Sequence, residues 1–305
     1  MSSVAAAALQ LGGVAIAPLA PGTIQTLKAR LQGRRGASPL QPYRVLRRLW
    51  GKSTVDPEGA GLSYRLAPAI AAASLLLAFA LVPLGGRSGG WGLGNDALVF
   101  VGLLALARFA VAVGAWDPGN GFALMGAARD VTLAVFGEAL LILALLLAAL
   151  PAHSTDLIAM TDAAGGWAAW SHTAHWCGAF AFALAVLVET GRQPIDNPDT
   201  HLELTMIHEG PLLEYAGRDL AYLSWVAAAR HWLILTLAAE LFLPHPRGFL
   251  GGLAALGGGL VAACLLLAVT ETTQAKMRIL RVPSLLGVGC LVALAGVVFS
   301  IAGGP

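Results

Sequence analysis

Eight stretches of this chain, 3–27, 66–84, 96–114, 131–150, 171–189, 220–243, 249–269 and 284–302, are apolar over roughly the 17–25 residues a helix needs to cross the hydrocarbon core of a bilayer. Lipid offers no partner to backbone N–H and C=O groups, so such stretches must satisfy them internally as helices. Charged residues make up only 12% of the chain, about half the share of an average soluble domain, and the mean hydropathy is +0.73. These features exclude a soluble enzyme. They predict an all-α, polytopic membrane protein of about eight spans, with residues 1–305 forming a single transmembrane domain. A net charge of +2 gives no reason to expect a nucleic-acid partner. Cys177, Cys264 and Cys290 lie in apolar runs without CxxC spacing, so neither a disulfide framework nor an iron–sulfur or zinc site is expected. There is no Walker or GxGxxG motif, which argues against an ATP-driven pump.

No Lys or Arg precedes the first stretch, whereas Lys28, Arg30, Arg34 and Arg35 follow it. It therefore reads as a retained span with the N-terminus outside, not as a signal peptide. In that orientation the inward segments 28–65, 115–130, 190–219 and 270–283 hold fifteen basic residues, against Arg87 and Arg247 outside. This asymmetry is the mark of a cytoplasmic face and predicts a multi-pass protein of the inner (cytoplasmic) membrane. Trp91, Trp167, Trp170 and Trp176 fall near the outer boundary, where an aromatic belt sits.

Two inward segments carry distinctive chemistry. The basic segment 28–65 contains an amphipathic stretch with Tyr43, Leu46, Leu49 and Trp50 opposite Arg44, Arg47 and Arg48. It suits anionic headgroups, a cytoplasmic subunit, or both. The segment 190–219, with Glu189 before it, holds seven of the chain's seventeen acids. Pro194 and Pro198 stop the preceding span. Thr200 and Glu203 have capping-box spacing, which predicts a short helix broken at Gly210-Pro211. Crowded carboxylates raise one another's pKa and keep protons available, while the interleaved Leu202, Leu204, Met206, Ile207, Leu212 and Leu213 need burial. His208-Glu209 does not continue as HExxH, because position 212 is Leu, so no metal site is expected there.

These segments resemble the respiratory complex I subunit 1 family. Glu189, Arg192, Pro194, Asp196, Pro198, Glu203, Leu204, Glu214, Tyr215 and Gly217 match its acidic loop, and Arg34-Arg35-Gly36 with Gln41-Pro42 match its first loop. Gly126 to Glu138 and Lys276-Met277-Arg278 with Arg281-Val282-Pro283 match two others. The wording from Asp196 to Glu209 is most similar to the formate hydrogenlyase and hydrogenase-4 branch. The quinone-type wording is absent at Asn197 to Thr200, so a cavity without bound quinone is expected.

The resemblance implies a membrane subunit that joins a peripheral electron-transfer arm to antiporter-like membrane subunits in an energy-converting nickel–iron (NiFe) hydrogenase. The NiFe centre and Fe–S clusters would reside in hydrogenase large and small subunits and an Fe–S subunit on the cytoplasmic side, with no cofactor in this chain. Arg30, Arg34, Arg35, Arg192, Lys276 and Arg278 would dock those partners. Glu138, Arg230, Glu189, Asp196, Glu203, Glu209, Glu214 and Glu271 would form a proton path.

Ionisable groups within spans cost at least about 2.5 kcal/mol each, which makes them functional candidates. Counted from Asp130 and Asp219 at 1.5 Å per residue, Glu138 lies about 12 Å deep and Arg230 about 16 Å. Their depths predict a pair, read either as structural or as a proton relay. Arg108 is expected to snorkel to the inner face, and Glu240 with His245 to anchor at the outer one. His172 and His175 are also read as interfacial. Three alternatives stay open. One is a quinone-site subunit of a complex I-like oxidoreductase. Another is a secondary ion transporter, which broken mid-span helices would favour and which the sequence does not show. The last is a purely structural anchor.

Overall fold

The computed structural model describes residues 3–87, 91, 93–164, 166–197, 206–244, 246 and 248–302. Among the described residues, eleven α-helices follow one another: α1 (Ser3–Ile16), α2 (Leu19–Leu31), α3 (Gln41–Trp50), α4 (Leu62–Leu81), α5 (Ala97–Trp116), α6 (Gly121–Ala152), α7 (Leu157–Ala164), α8 (Thr173–Glu189), α9 (Gly217–Phe242), α10 (Phe249–Thr273) and α11 (Val282–Ala302). Strand pairing among the described residues is confined to one bridge, Asp96 to Asp156.

Among the described residues, six helices are long and apolar enough to cross a membrane, and the bent pair α1 and α2 makes a seventh span if counted as one. The eighth expected span falls on α8, which is apolar but only 17 residues long. α6 exceeds expectation in the other direction. Instead of starting near residue 131 it begins at Gly121 and runs 32 residues, about 48 Å at 1.5 Å per residue. It is therefore longer than the ~30 Å hydrocarbon layer is thick.

The first span is broken, against the sequence expectation of continuous helices, and the chain bends by 42° where α1 meets α2. Pro18 lacks an N–H and leaves the Val14 carbonyl without its donor four residues on. Trp225 of α9 donates to that carbonyl at 3.4 Å, and the Tyr43 hydroxyl of α3 donates to the next one, Ala15. Two side chains thus replace the lost ladder bonds and fasten the joint. α3 is the stretch expected to be amphipathic. It lies along α9, where Trp50 meets Tyr222 edge-on at 5.0 Å, and it leaves Arg44, Arg47 and Arg48 exposed.

Helix starts are capped by side chains placed for that purpose. Asp96 accepts from the N–H groups of Leu98 and Val99 at the start of α5, and Asn120 does the same for α6. α4 is capped from outside its own segment by Asp117, which accepts from the Tyr64 N–H at 2.9 Å. The inward segments share one end of the bundle: Asn120 donates to Glu214, and Lys276 reaches Asp196.

The acidic loop departs from its expected form. The capping box and Glu203 lie outside the described residues, 206–209 are not helical, and a 3₁₀ turn forms at Gly210–Leu212, where a break was expected. Pro211 sits at the second position of that turn, where a helix-start N–H has no internal partner to lose. The turn rests directly on α6. A Cβ on Gly126 would lie 2.7 Å from the Gly210 Cα and 2.9 Å from its carbonyl carbon, and backbone cannot yield as a flexible side chain can. Gly126→Ala is therefore expected to lift the turn off α6 and destabilise the protein by about 1–3 kcal/mol. A wild-type melting temperature in detergent would refute it.

Candidate functional site

The charges that the sequence places inside spans converge at the level of the α8 C-terminus. Arg108 of α5 sits among three carboxylates. Its Nη2 is 2.9 Å from Glu189, the last residue of α8, and its Nη1 is 3.1 Å from Glu138 of α6. Its Nε is 3.7 Å from Asp130, two turns earlier on α6. Arg230 of α9 donates to the same Oε2 of Glu189 at 2.7 Å and to the Leu104 carbonyl at 2.6 Å. Glu189 is 2% exposed, Arg108 6% and Arg230 8%. Two guanidiniums thus share one buried carboxylate oxygen, and the geometry can hold them only while that carboxylate is charged.

This arrangement corrects two expectations. Glu138 and Arg230 lie at similar heights but do not pair, because the Arg108 guanidinium occupies the position between Glu138 and Glu189. Arg108 does not snorkel, because α5 continues to Trp116 and the carboxylates of α6 and α8 close around the guanidinium.

Beside this cluster the acidic loop folds inwards. Gly191, at φ +61°, turns the chain after α8, and Arg192, Gln193 and Asp196 are all buried. Asp196 meets Lys276 at 2.8 Å and His208 Nδ1 at 3.2 Å. The other ring nitrogen, Nε2, is 3.0 Å from the Val188 carbonyl and 3.5 Å from Asp130. Burial alone would raise the Asp196 pKa, but the hydrogen bond and charge of His208, then those of Lys276, hold it well below the usual carboxylate range. For His208, burial opposes the charged form, and the carboxylates of Asp130 and Asp196 outweigh it and raise its pKa.

A second buried group forms at the α10 C-terminus, where Glu271 takes Arg192 at 2.7 Å and Lys28 at 3.0 Å. Arg192 is therefore no docking residue. It is 4% exposed and committed to Glu271. Lys276 is half-buried against Asp196, so it too is occupied within the chain. Arg30, Arg34, Arg35 and Arg278 are exposed. Glu209 is half-buried, and Glu214 accepts from Asn120 while the Glu214 carbonyl takes the Tyr64 hydroxyl. The Tyr64 and Tyr215 rings stack at 4.3 Å beside it. Glu240 does not anchor at an interface. It is 2% exposed and accepts the Gly85 and Gly86 N–H groups at 2.6 and 3.2 Å. His245 lies outside the described residues. His175 packs against Trp170 and Trp176. Among the described residues no group of three or more His, Cys, Asp or Glu side chains could hold a metal ion.

The family described as NADH dehydrogenase matches residues 5–301. This chain belongs to the NADH dehydrogenase family. Within it the chain is 33% identical to hydrogenase-4 component C of Escherichia coli, over 94% of this chain and 92% of that one. It is 30% identical to formate hydrogenlyase subunit 4 of the same organism, over 87% and 88%. A subunit of the NADH-quinone oxidoreductase of Cereibacter sphaeroides is 32% identical over 73% of this chain and 69% of its own. A solved subunit of the membrane-bound sulfane sulfur reductase, an archaeal respiratory membrane complex, superposes with a TM-score of 0.85 at 21% identity, covering 98% of this chain and all of that one. The fold of this NADH dehydrogenase family member is thereby shared with a respiratory membrane complex. The resemblance to complex I subunit 1 seen in its loops is real.

The sequence reading missed three members of the site: Asp130, taken only as a boundary marker; Arg108, assigned to the lipid interface; and His208, considered only as a failed zinc ligand. The available signal was their proximity to matched family segments, since Asp130 lies between Gly126 and Glu138.

Proposed function

We propose that this chain is the membrane-arm subunit of a formate hydrogenlyase-like, energy-converting nickel–iron hydrogenase. It docks the peripheral electron-transfer subunits and couples their redox chemistry to proton translocation. The observation that carries the coupling is the line of ion-paired groups from Lys276 and Asp196 in the loop, through His208, Asp130 and Arg108, to Glu138 on α6. Charged groups this close in a low dielectric feel one another strongly, so a charge altered at the loop changes the proton affinity of a carboxylate inside the membrane. The hydrogenase context is supported by the two relatives matched over most of their length.

In this reading the N-terminus faces outwards in the inner membrane, and the basic and acidic segments face the cytoplasm. Hydrogenase large and small subunits and an Fe–S subunit bind there, bringing the NiFe centre and the Fe–S clusters, while antiporter-like subunits adjoin within the membrane. The proton path uses Glu138, Asp196 and Glu271, with Glu203, Glu209 and Glu214 at its loop end, and it runs past Glu189 and Arg230, which act as fixed charges. The quinone-reductase reading keeps support from the NADH-quinone oxidoreductase relatives, and stoichiometric quinone in the purified complex would favour it. The bent first span does not favour an ion transporter. Such proteins aim broken helix ends at their substrate, and here the freed carbonyls are taken by Trp225 and Tyr43.

Docking is tested at Arg34 and Arg35, adjacent and exposed cations suited to an acidic partner surface. The double change to Glu is expected to release the peripheral subunits while the chain stays in the membrane. Copurification of those subunits at wild-type yield would refute it.

A further inference from the structure

Among the described residues, His208 is the group that touches both the loop carboxylate Asp196 and the α6 carboxylate Asp130, with a different ring nitrogen turned to each: Nδ1 at 3.2 Å and Nε2 at 3.5 Å. The imidazole is thus the connection between the two acids. The ring is closely fixed. Its backbone N–H also donates to Asp196 at 3.3 Å, Nε2 meets the Val188 carbonyl at 3.0 Å, and Gly191 lies flat against one edge. A Cβ at 191 would stand 2.7 Å from Nδ1, so this histidine position requires the glycine.

We propose that His208 is a proton carrier, passing protons between Asp196 in the loop and Asp130 on α6. The inference rests on the coupling reading above and deepens it. In the inward-to-membrane sense, the neutral ring with its proton on Nε2 takes on Nδ1 a proton that arrives at Asp196, which hands it on readily because His208 and Lys276 favour the ionised carboxylate. It then releases the Nε2 proton to the Asp130 carboxylate. Asp196 ends ionised, Asp130 ends protonated, and the ring ends with its proton on Nδ1. Exchange with water at the ring, whose side chain is 25% exposed, takes the proton from Nδ1 and returns one to Nε2, which restores the start without turning the ring. One proton moves and no electron does. Protonating Asp130 removes one of the three carboxylates around Arg108, so the guanidinium is held more firmly by Glu138 and Glu189. The charged groups facing the ring are Asp130 from α6, Asp196 from the loop and Arg108 from α5, with Lys276 behind Asp196. The carboxylates favour the imidazolium and Arg108 opposes it, which suits a group that must both gain and lose a proton near neutral pH.

The test uses the whole complex in sealed vesicles, following redox turnover with an artificial electron donor and proton movement separately. His208→Gln keeps two polar ends but cannot titrate. His208→Arg keeps a permanent cation between the acids but cannot release a proton. In whichever variant assembles, turnover is expected to persist while proton movement falls on the order of tenfold or more. Wild-type proton movement with a wild-type pH profile in either the Gln or the Arg variant would overturn the carrier and leave the coupling reading intact. Wild-type vesicles that turn over without moving protons would overturn both.

Discussion

Replacing Glu189 by glutamine is expected to abolish accumulation of the folded protein. The carboxylate oxygen Oε2 is the common partner of Arg108 and Arg230, and an amide there removes the full charge that faces Arg230 at contact distance. Breaking one buried ion pair from one side costs about 3–5 kcal/mol, and here two cations lose the same partner. A domain's whole stability is only about 5–15 kcal/mol. Arg108 retains Asp130 and Glu138, so the larger share of the loss falls on Arg230, whose remaining bond is to the Leu104 carbonyl. Changing Arg230 to Met in the same chain is therefore expected to recover part of the accumulation, since coupled neighbours do not add. Immunoblots of detergent-extracted membranes would show this directly. Normal levels of the single variant would mean that the cluster is not held by charge.

The second large effect is on coupling. Glu138→Gln is expected to leave assembly and artificial-donor turnover near wild type while proton movement in sealed vesicles collapses. The pairing found in the structure makes this variant milder for folding than the depth argument suggests. Glu138 is partly exposed, at 31% of its side chain, and its partner Arg108 keeps two other carboxylates, whereas a Glu138–Arg230 pair would have left a cation stranded. A titratable carboxylate is nevertheless lost from the membrane interior, where such groups are kept for function. Wild-type proton movement in the assembled variant would reduce Glu138 to a structural partner of Arg108.

The contrast between these two carboxylates shows what the sequence could and could not convey. Most span positions were legible because apolar length is nearly sufficient to define a membrane helix, and a relative height for each charge followed from a rise of 1.5 Å per residue. Depth gives height and not direction around the bundle, so Glu138 and Arg230 looked like partners until Arg108 was found between them. Arg108 itself was misplaced because its height near the inner face did not reveal that Asp130, Glu138 and Glu189 close around it. Pro18 stood within an expected continuous span, and the break there depends on Trp225 and Tyr43, residues 211 and 28 positions away from the carbonyls they serve. The acidic loop was legible as a carboxylate-rich element, but not as one that folds inwards. That depends on Gly191 turning the chain so that Arg192 meets Glu271, 79 positions away. Arg192 was consequently assigned to docking when its charge is spent within the fold.

α6 has a mechanical meaning that its length alone does not express. It carries Gly126 under the loop's 3₁₀ turn, Asp130 beside His208, and Glu138 against Arg108, all on one unbroken rod whose internal proline, Pro151, lies well beyond them. From Gly126 to Glu138 is about 18 Å at 1.5 Å per residue, and a hydrogen-bonded helix hardly stretches over that distance. A subunit that pressed on the loop turn would therefore act as on the head of a pushrod. Its displacement would reach the membrane carboxylate undiminished, through backbone as well as through charge.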